Sequence, residues 1–295
     1  MEATVGAIAL LGAASYVAWR AFSAALDGEP WLPEGLFAGG LALSLGVVSL
    51  APQATPLLGL ATLVTAFGVA LAIRRAFGAP IRAVGVGLAS SVLAMAVGGF
   101  VAGTALVPLL RGLELSPDSV GGTLLAMVVL GPLVEEACRF AALAIAVGIG
   151  PRLALGAGVR LGAGFGIGWG LAELLVRVAA LVHPGLSVGA ADAAVAHTAG
   201  DPLQSLSLAL GWVAVVAWHA AFSTLVVLAL IDRRWAVLPL VLLLHMVANA
   251  VAILTTAIIG VVASGVAAAG IALLLHGWAR RAVSRRQPLA EAACA

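Results

Sequence analysis

Long apolar runs dominate this chain, separated by short clusters of Pro, Gly and charged residues. An α-helix needs about 20 mostly apolar residues to cross the hydrocarbon layer of a bilayer. On that measure the pattern predicts nine spans, at about 4–25, 35–51, 56–73, 83–110, 120–149, 158–183, 204–231, 236–256 and 259–279. The second is short. Only a weak break near Gly260 separates the last two, so a count of eight is the alternative. The expected fold is an all-α, polytopic transmembrane helical bundle. Three parts follow from the distribution of polar residues: spans within 1–118 that shape access or recognition, a four-helix core at 119–258, and a last span with a basic tail at 259–295.

Composition agrees with the pattern. Hydrophobic residues make up 63% of the chain and charged residues 9%, with a mean hydropathy of +1.16. An ordinary soluble domain is about 25% charged. All 15 basic residues are Arg, a bias expected of a GC-rich genome. The net charge is only +2 and the Arg lie in membrane-edge loops, which gives no reason to expect a nucleic-acid partner. The expected partners are the lipid bilayer and a membrane-associated substrate. The expected location is a bacterial or archaeal plasma membrane. The N-terminal MEATV lacks a basic n-region, so the first apolar run reads as a retained span rather than a cleaved signal. Cys138 and Cys294 lie too far apart in the topology to be expected to pair.

The positive-inside rule sets the orientation. With the N-terminus outside, inner loops collect Arg74, Arg75, Arg82, Arg152, Arg160, Arg233 and Arg234, and the tail adds Arg280, Arg281, Arg285 and Arg286. The outer loops hold only Arg111. The prediction is N-terminus out, C-terminus in.

Against this apolar background, polar residues inside the spans stand out. They are Glu135, Glu136 and Arg139 in the fifth span, Glu173 in the sixth, His219 in the seventh, and His245 with Asn249 in the eighth. A charge at mid-membrane costs roughly 2.5–3.5 kcal/mol on the insertion scale, so such residues mark function by default. In GPLVEEACRF, Arg139 lies four residues after Glu135 and three after Glu136, so it can neutralise one carboxylate and leave the other over. Gly131-Pro132 predicts a kink one turn earlier. In the sixth span Gly162, Gly166 and Gly170 form a small-residue stripe for close helix packing, and Gly164 and Gly168 read as widening it. Trp169, Glu173 and Arg177 run down one face, and a plain Glu173–Arg177 ion pair is an equally good account of that face. At about 1.5 Å rise per residue, the polar residues of all four spans reach similar depth.

Two chemistries fit. Glu173, His219 and His245 with a water would be a three-ligand zinc arrangement, with a spare Glu as base. Without metal, a buried Glu would activate water while His219, His245 and Asn249 donate to the developing oxyanion. Either one hydrolyses an amide bond within the membrane. No HExxH or GxSxG motif is present.

The ordered set EExxR, GxGWGLAE, a mid-span His and HxxxN resembles the superfamily of CAAX-processing and bacteriocin-processing intramembrane proteases. Within it, EExxR and a second motif ending in Glu173 are similar to the PrsW-like and YhfC-like branches. The prenyl-protease branch has EExxxR and a His at that second position, whereas HxxxN in this chain resembles the prenyl-protease pattern. Trp169 stands where these branches often have Phe or His. The resemblance covers about residues 125–255. It implies an active centre of Glu135, Glu136, Glu173, His219 and His245. The resulting expectation is an intramembrane peptidase with Glu135 or Glu136 as water-activating base and Arg139 orienting one of them. Glu173, His219 and His245 would be metal ligands or polarising groups, and Asn249 an oxyanion donor. The rivals are a proton-coupled transporter or channel and a non-catalytic scaffold whose polar set only joins helices.

Overall fold

The computed structural model describes residues 55–114, 116, 119–148, 154–182 and 202–258, with scattered positions from 260 to 281. The predicted spans at 4–25 and 35–51 lie outside the described residues, as do most of the ninth, the loop at 184–201 and Cys294. Among the described residues the fold is all-α. Helix α1 is Thr55–Phe77. Helix α2 is Ile81–Val101, continued by a π-helical turn at Ala102–Leu106 and by Val107–Gly112. Helix α3 starts at Val120–Leu124, passes through a π-helical turn at Leu125–Leu130 and runs on as Gly131–Gly148. Helices α4, α5 and α6 are Leu155–Val182, Pro202–Ile231 and Val237–Ile258. Among the described residues, four helices are long and apolar enough to cross a membrane, within Ile81–Gly112, Leu155–Val178, Gly211–Ile231 and Val237–Thr255.

Local sequence explains the boundaries. After α1 the chain closes a Schellman turn: Ala79 N–H donates to Arg74 O (2.9 Å) and Gly78 N–H to Arg75 O (3.2 Å), with Gly78 at φ +62°. Pro80 then starts α2 from an extended conformation. Ser119 caps α3, its Oγ accepting from Gly122 N–H at 3.0 Å. Where a kink is expected at Gly131-Pro132, the helix carries a π-turn just before that pair. In a π-turn each carbonyl accepts from the N–H five residues on, as Ala126 O does from Gly131. The next partner in that register would be Pro132 N–H, which does not exist. Met127 O is thereby left over.

The glycines of α4 explain the core. A Cβ on Gly162, Gly166 or Gly170 would run into the α5 backbone at Thr224, His219–Ala220 and Val216. Gly164 and Gly168 do not widen that stripe. Two residues along a helix turn by about 200°, and these two face α2, where a Cβ would meet Ala83 and the Val84 carbonyl. Gly87 of α2 answers with its own close approach to the Phe165 carbonyl. Helix α4 is thus a slab pressed between two helices at backbone contact, the arrangement small residues make possible in a membrane.

Candidate functional site

Helices α3, α4, α5 and α6 bring Glu135, Glu136, Arg139, Glu173, His219 and His245 together, as the sequence predicts. Arg139 is the hub. It is fully buried, and its guanidinium lies 4.7 Å from the Trp169 ring centroid and 6.0 Å from that of Phe222. Nη1 donates to Glu136 Oε1, and Nη2 donates to His219 Nδ1 at 2.5 Å. Glu135 Oε2 is farther off, 4.0 Å from Nη2. The arginine therefore pairs with Glu136 rather than Glu135, a choice that the sequence left open.

Each imidazole has one nitrogen on a carboxylate. His219 Nε2 is 2.7 Å from Glu173 Oε2, and His245 Nδ1 is 2.7 Å from Glu136 Oε1. Guanidinium can only donate, so the Nδ1 lone pair of His219 is occupied by Arg139 and the neutral ring carries its hydrogen on Nε2. That hydrogen points at Glu173. The rings of His219 and His245 meet edge to face with centroids 5.6 Å apart, and Phe222 stacks on His245 at 5.2 Å. The helical spacing that predicts a Glu173–Arg177 pair is also realised: Arg177 Nη2 and Nε donate to Glu173 Oε1 at 2.5 and 3.1 Å. Glu173 thus serves both readings, one oxygen for each. Arg177 joins the centre through it, a role that the i,i+4 spacing alone did not distinguish from an isolated ion pair.

Glu135 is the exception. Its Oε2 is buried and has no hydrogen-bond partner, and the nearest ring nitrogen, His245 Nε2, is 3.9 Å away. The side chain as a whole is 28% exposed, against 9% for Glu136. The exposed edge of the centre is formed by Glu135, Glu173 and Arg177; Glu136, Arg139, His219 and His245 form its floor.

Asn249 has a partner that the sequence did not predict. Its Nδ2 donates to Met127 O at 2.8 Å, the carbonyl for which Pro132 has no N–H. It ties α6 to the π-turn of α3. No sequence signal marks Met127 as its partner, because the need arises only once the π-turn exists.

The donor set tests the zinc expectation. One oxygen each from Glu135 and Glu173 and a ring nitrogen of His219 lie within 4.8 Å of one another. This trio has Glu135 in place of the His245 expected beside Glu173 and His219. A zinc ligand must offer a lone pair at about 2.0–2.2 Å. His219 has none to offer, because Arg139 holds Nδ1 and Nε2 bears the hydrogen. The set does not fit zinc as it stands. It does leave room for a water between the two carboxylates: oxygens of Glu135 and Glu173 no more than 4.8 Å apart share points about 2.8 Å from each, within hydrogen-bond reach.

Comparison with known protein families, with curated proteins and with solved structures finds no match to this chain.

Proposed function

We propose that the chain is a glutamate-dependent intramembrane peptidase that hydrolyses peptide bonds of membrane-associated substrates without a metal ion. The observation that carries this reading is the orphaned Glu135 Oε2, buried 4.0 Å from Arg139 Nη2 and 3.9 Å from His245 Nε2 yet hydrogen-bonded to neither. Burying a polar atom without a partner costs roughly 1–3 kcal/mol. A reacting water would supply the partner that this carboxylate oxygen lacks; Arg139 Nε and Ser223 Oγ are also buried without a partner, but neither can act as a base.

In this reading Glu135 takes a proton from a water held between it and Glu173, and the water oxygen attacks the substrate carbonyl carbon. The C–N bond then breaks, and Glu135 returns the proton to the leaving amine. Arg177 fixes one oxygen of Glu173 so that the other faces the centre. Glu136 and Arg139 act on the partners of the reaction rather than on the substrate. Glu136 backs His245, which in protonated form donates to the oxyanion through Nε2, the role first expected of Asn249. Nine spans with the N-terminus out and C-terminus in, a prokaryotic plasma membrane, access through residues 1–118 and kinship with the PrsW-like branch belong to the same proposal.

A transporter reading is less well supported. The contacts run from Glu173 through His219, Arg139 and Glu136 to His245. Arg139 sits in the middle, and a guanidinium does not give up its proton. A proton relay would be cut there. A scaffold reading leaves Glu135 Oε2 without a reason.

The test is cleavage of a library of single-span peptides by the purified full-length chain in liposomes, read by mass spectrometry. Cleavage should vanish in E135Q and persist with a zinc chelator. Cleavage that survives E135Q would sink the assignment of the base. Chelator sensitivity would restore the metal alternative. Pure proton flux with no cleavage would favour the transporter.

A further inference from the structure

We propose that the corner around the Gly78–Pro80 turn binds the headgroup of an anionic phospholipid. Three arginines from three helices meet at this turn. Arg74 of α1 donates from Nε to Ala79 O at 3.1 Å, which anchors its guanidinium on the turn. Arg82 stands exposed in the first turn of α2, two residues after Pro80. The aliphatic stem of exposed Arg160, from α4, passes Gly78 so closely that a Cβ there would sit 3.4 Å from Arg160 Cδ. A positive φ at Gly78 already excludes most side chains, so the stem has a fixed surface to lie on.

Among the described residues, arginine outnumbers acid at this corner. The same end of the bundle carries Arg75, Arg233 and Arg234, placed there because Gly158, just before Arg160, abuts Ile231. Asp232 is the one acidic residue at this end among the described residues. What makes the ligand a lipid rather than a free anion is the apolar surface directly adjoining the arginines. Ile81 is 65% exposed and Val86 48%. A molecule that satisfies both surfaces has an acidic head and hydrocarbon tails. Each arginine in a basic cluster at the membrane edge strengthens the attraction to anionic lipids by roughly fivefold in affinity.

The inference does not depend on the peptidase reading. The test uses the full-length chain in detergent, supplemented with phosphatidylglycerol or with phosphatidylcholine of the same acyl chains. Thermal stability and lipid retention by native mass spectrometry are the readouts. Phosphatidylglycerol should raise Tm more than phosphatidylcholine, and the excess should shrink with salt. R160Q should weaken phosphatidylglycerol retention by about fivefold, whereas R111Q, at the opposite end of α2, should leave it unchanged. Equal effects of the two lipids on the wild-type chain would overturn the proposal whether or not any variant folds. So would full retention in R160Q, or an equal gain in Tm from inorganic phosphate alone.

Discussion

The two halves of the polar centre are held in opposite ways. Glu173 and His219 stand on α4 and α5, where backbone meets backbone and the spanning windows are 72% and 78% buried. Glu135, Glu136 and His245 stand on α3 and α6, and the α6 window is only 17% buried. Glycine fixes the first half, leaving no side chain at the contact to readjust. The second half is fixed by polar side chains: Arg139 reaching from α3 to α5, and Asn249 reaching from α6 to α3. Adding atoms should therefore break the first half, and removing polar atoms should break the second.

The largest expected effect is on the glycine contact. In G166L a side chain must enter the space of the His219 carbonyl. Overpacking that neighbouring side chains can absorb already costs about 1–3 kcal/mol, and here the obstacle is backbone. The variant should lose more than about 3 kcal/mol and fail to yield monodisperse protein in detergent. Gly85, on the same core's outer helix, has open space around its Cβ position. G85A should match or exceed the wild-type Tm by the roughly 0.5–1 kcal/mol that helical Gly costs relative to Ala. If G166L and G85A unfold alike, the close approach of α4 and α5 is not what holds the first half.

Next comes the arginine hub. R139L strands the Glu136 carboxylate in the interior and strips His219 Nδ1 of its donor. Removing one partner of a buried ion pair costs about 3–5 kcal/mol. R177Q removes a pair that is about a quarter exposed, and its loss of stability should be within about 1 kcal/mol. Thermal unfolding of the two variants side by side measures the difference. A loss in R177Q as large as in R139L would mean that the exposed edge, not the floor, organises the site.

Much of this was legible in the sequence. Ionisable residues inside apolar runs are rare enough that their convergence could be expected from cost alone. The depth match followed from counting rise per residue. What escaped were choices between neighbours. Glu135 and Glu136 differ by about 100° around one helix, and both lie within reach of Arg139 by spacing. Only the position of α5 and α6 decides that Glu136 is the one enclosed. The roughly 200° offset of Gly164 and Gly168 from the Gly162 stripe already implies a second face. Asn249 was out of reach, since its partner is a carbonyl freed by a backbone irregularity.

The two adjacent glutamates sharpen the comparison further, because they lie on one helix and differ only in partners. E136Q loses the charge that holds Arg139 and His245, so its Tm should fall by the equivalent of about 1.5–3 kcal/mol for hydrogen bonds to charged groups. E135Q removes a carboxylate whose Oε2 has no partner, so Tm should hold or rise. Under the proposed function, E135Q should also lose at least about 100-fold in turnover, the low end of general-base contributions. A fall in Tm for E135Q equal to that for E136Q would place both carboxylates in the scaffold.

The smallest effect tests the tie between α6 and α3. N249A takes a donor from Met127 O, and an ordinary hydrogen bond contributes about 0.5–1.5 kcal/mol net. The need for that donor is attributed to Pro132, which lacks the N–H that the π register requires. P132A supplies it. In a P132A background the carbonyl has a backbone partner, and N249A should then cost clearly less than in the wild type. The coupling in a double-mutant cycle should be comparable to the bond itself, within the 0.5–3 kcal/mol typical of directly interacting residues. Additive losses would show that Asn249 holds α6 for a reason unrelated to the missing N–H. The oxyanion role first expected of it would then be open again, and the contrast between a glycine-fixed half and a polar-fixed half would rest on Arg139 alone.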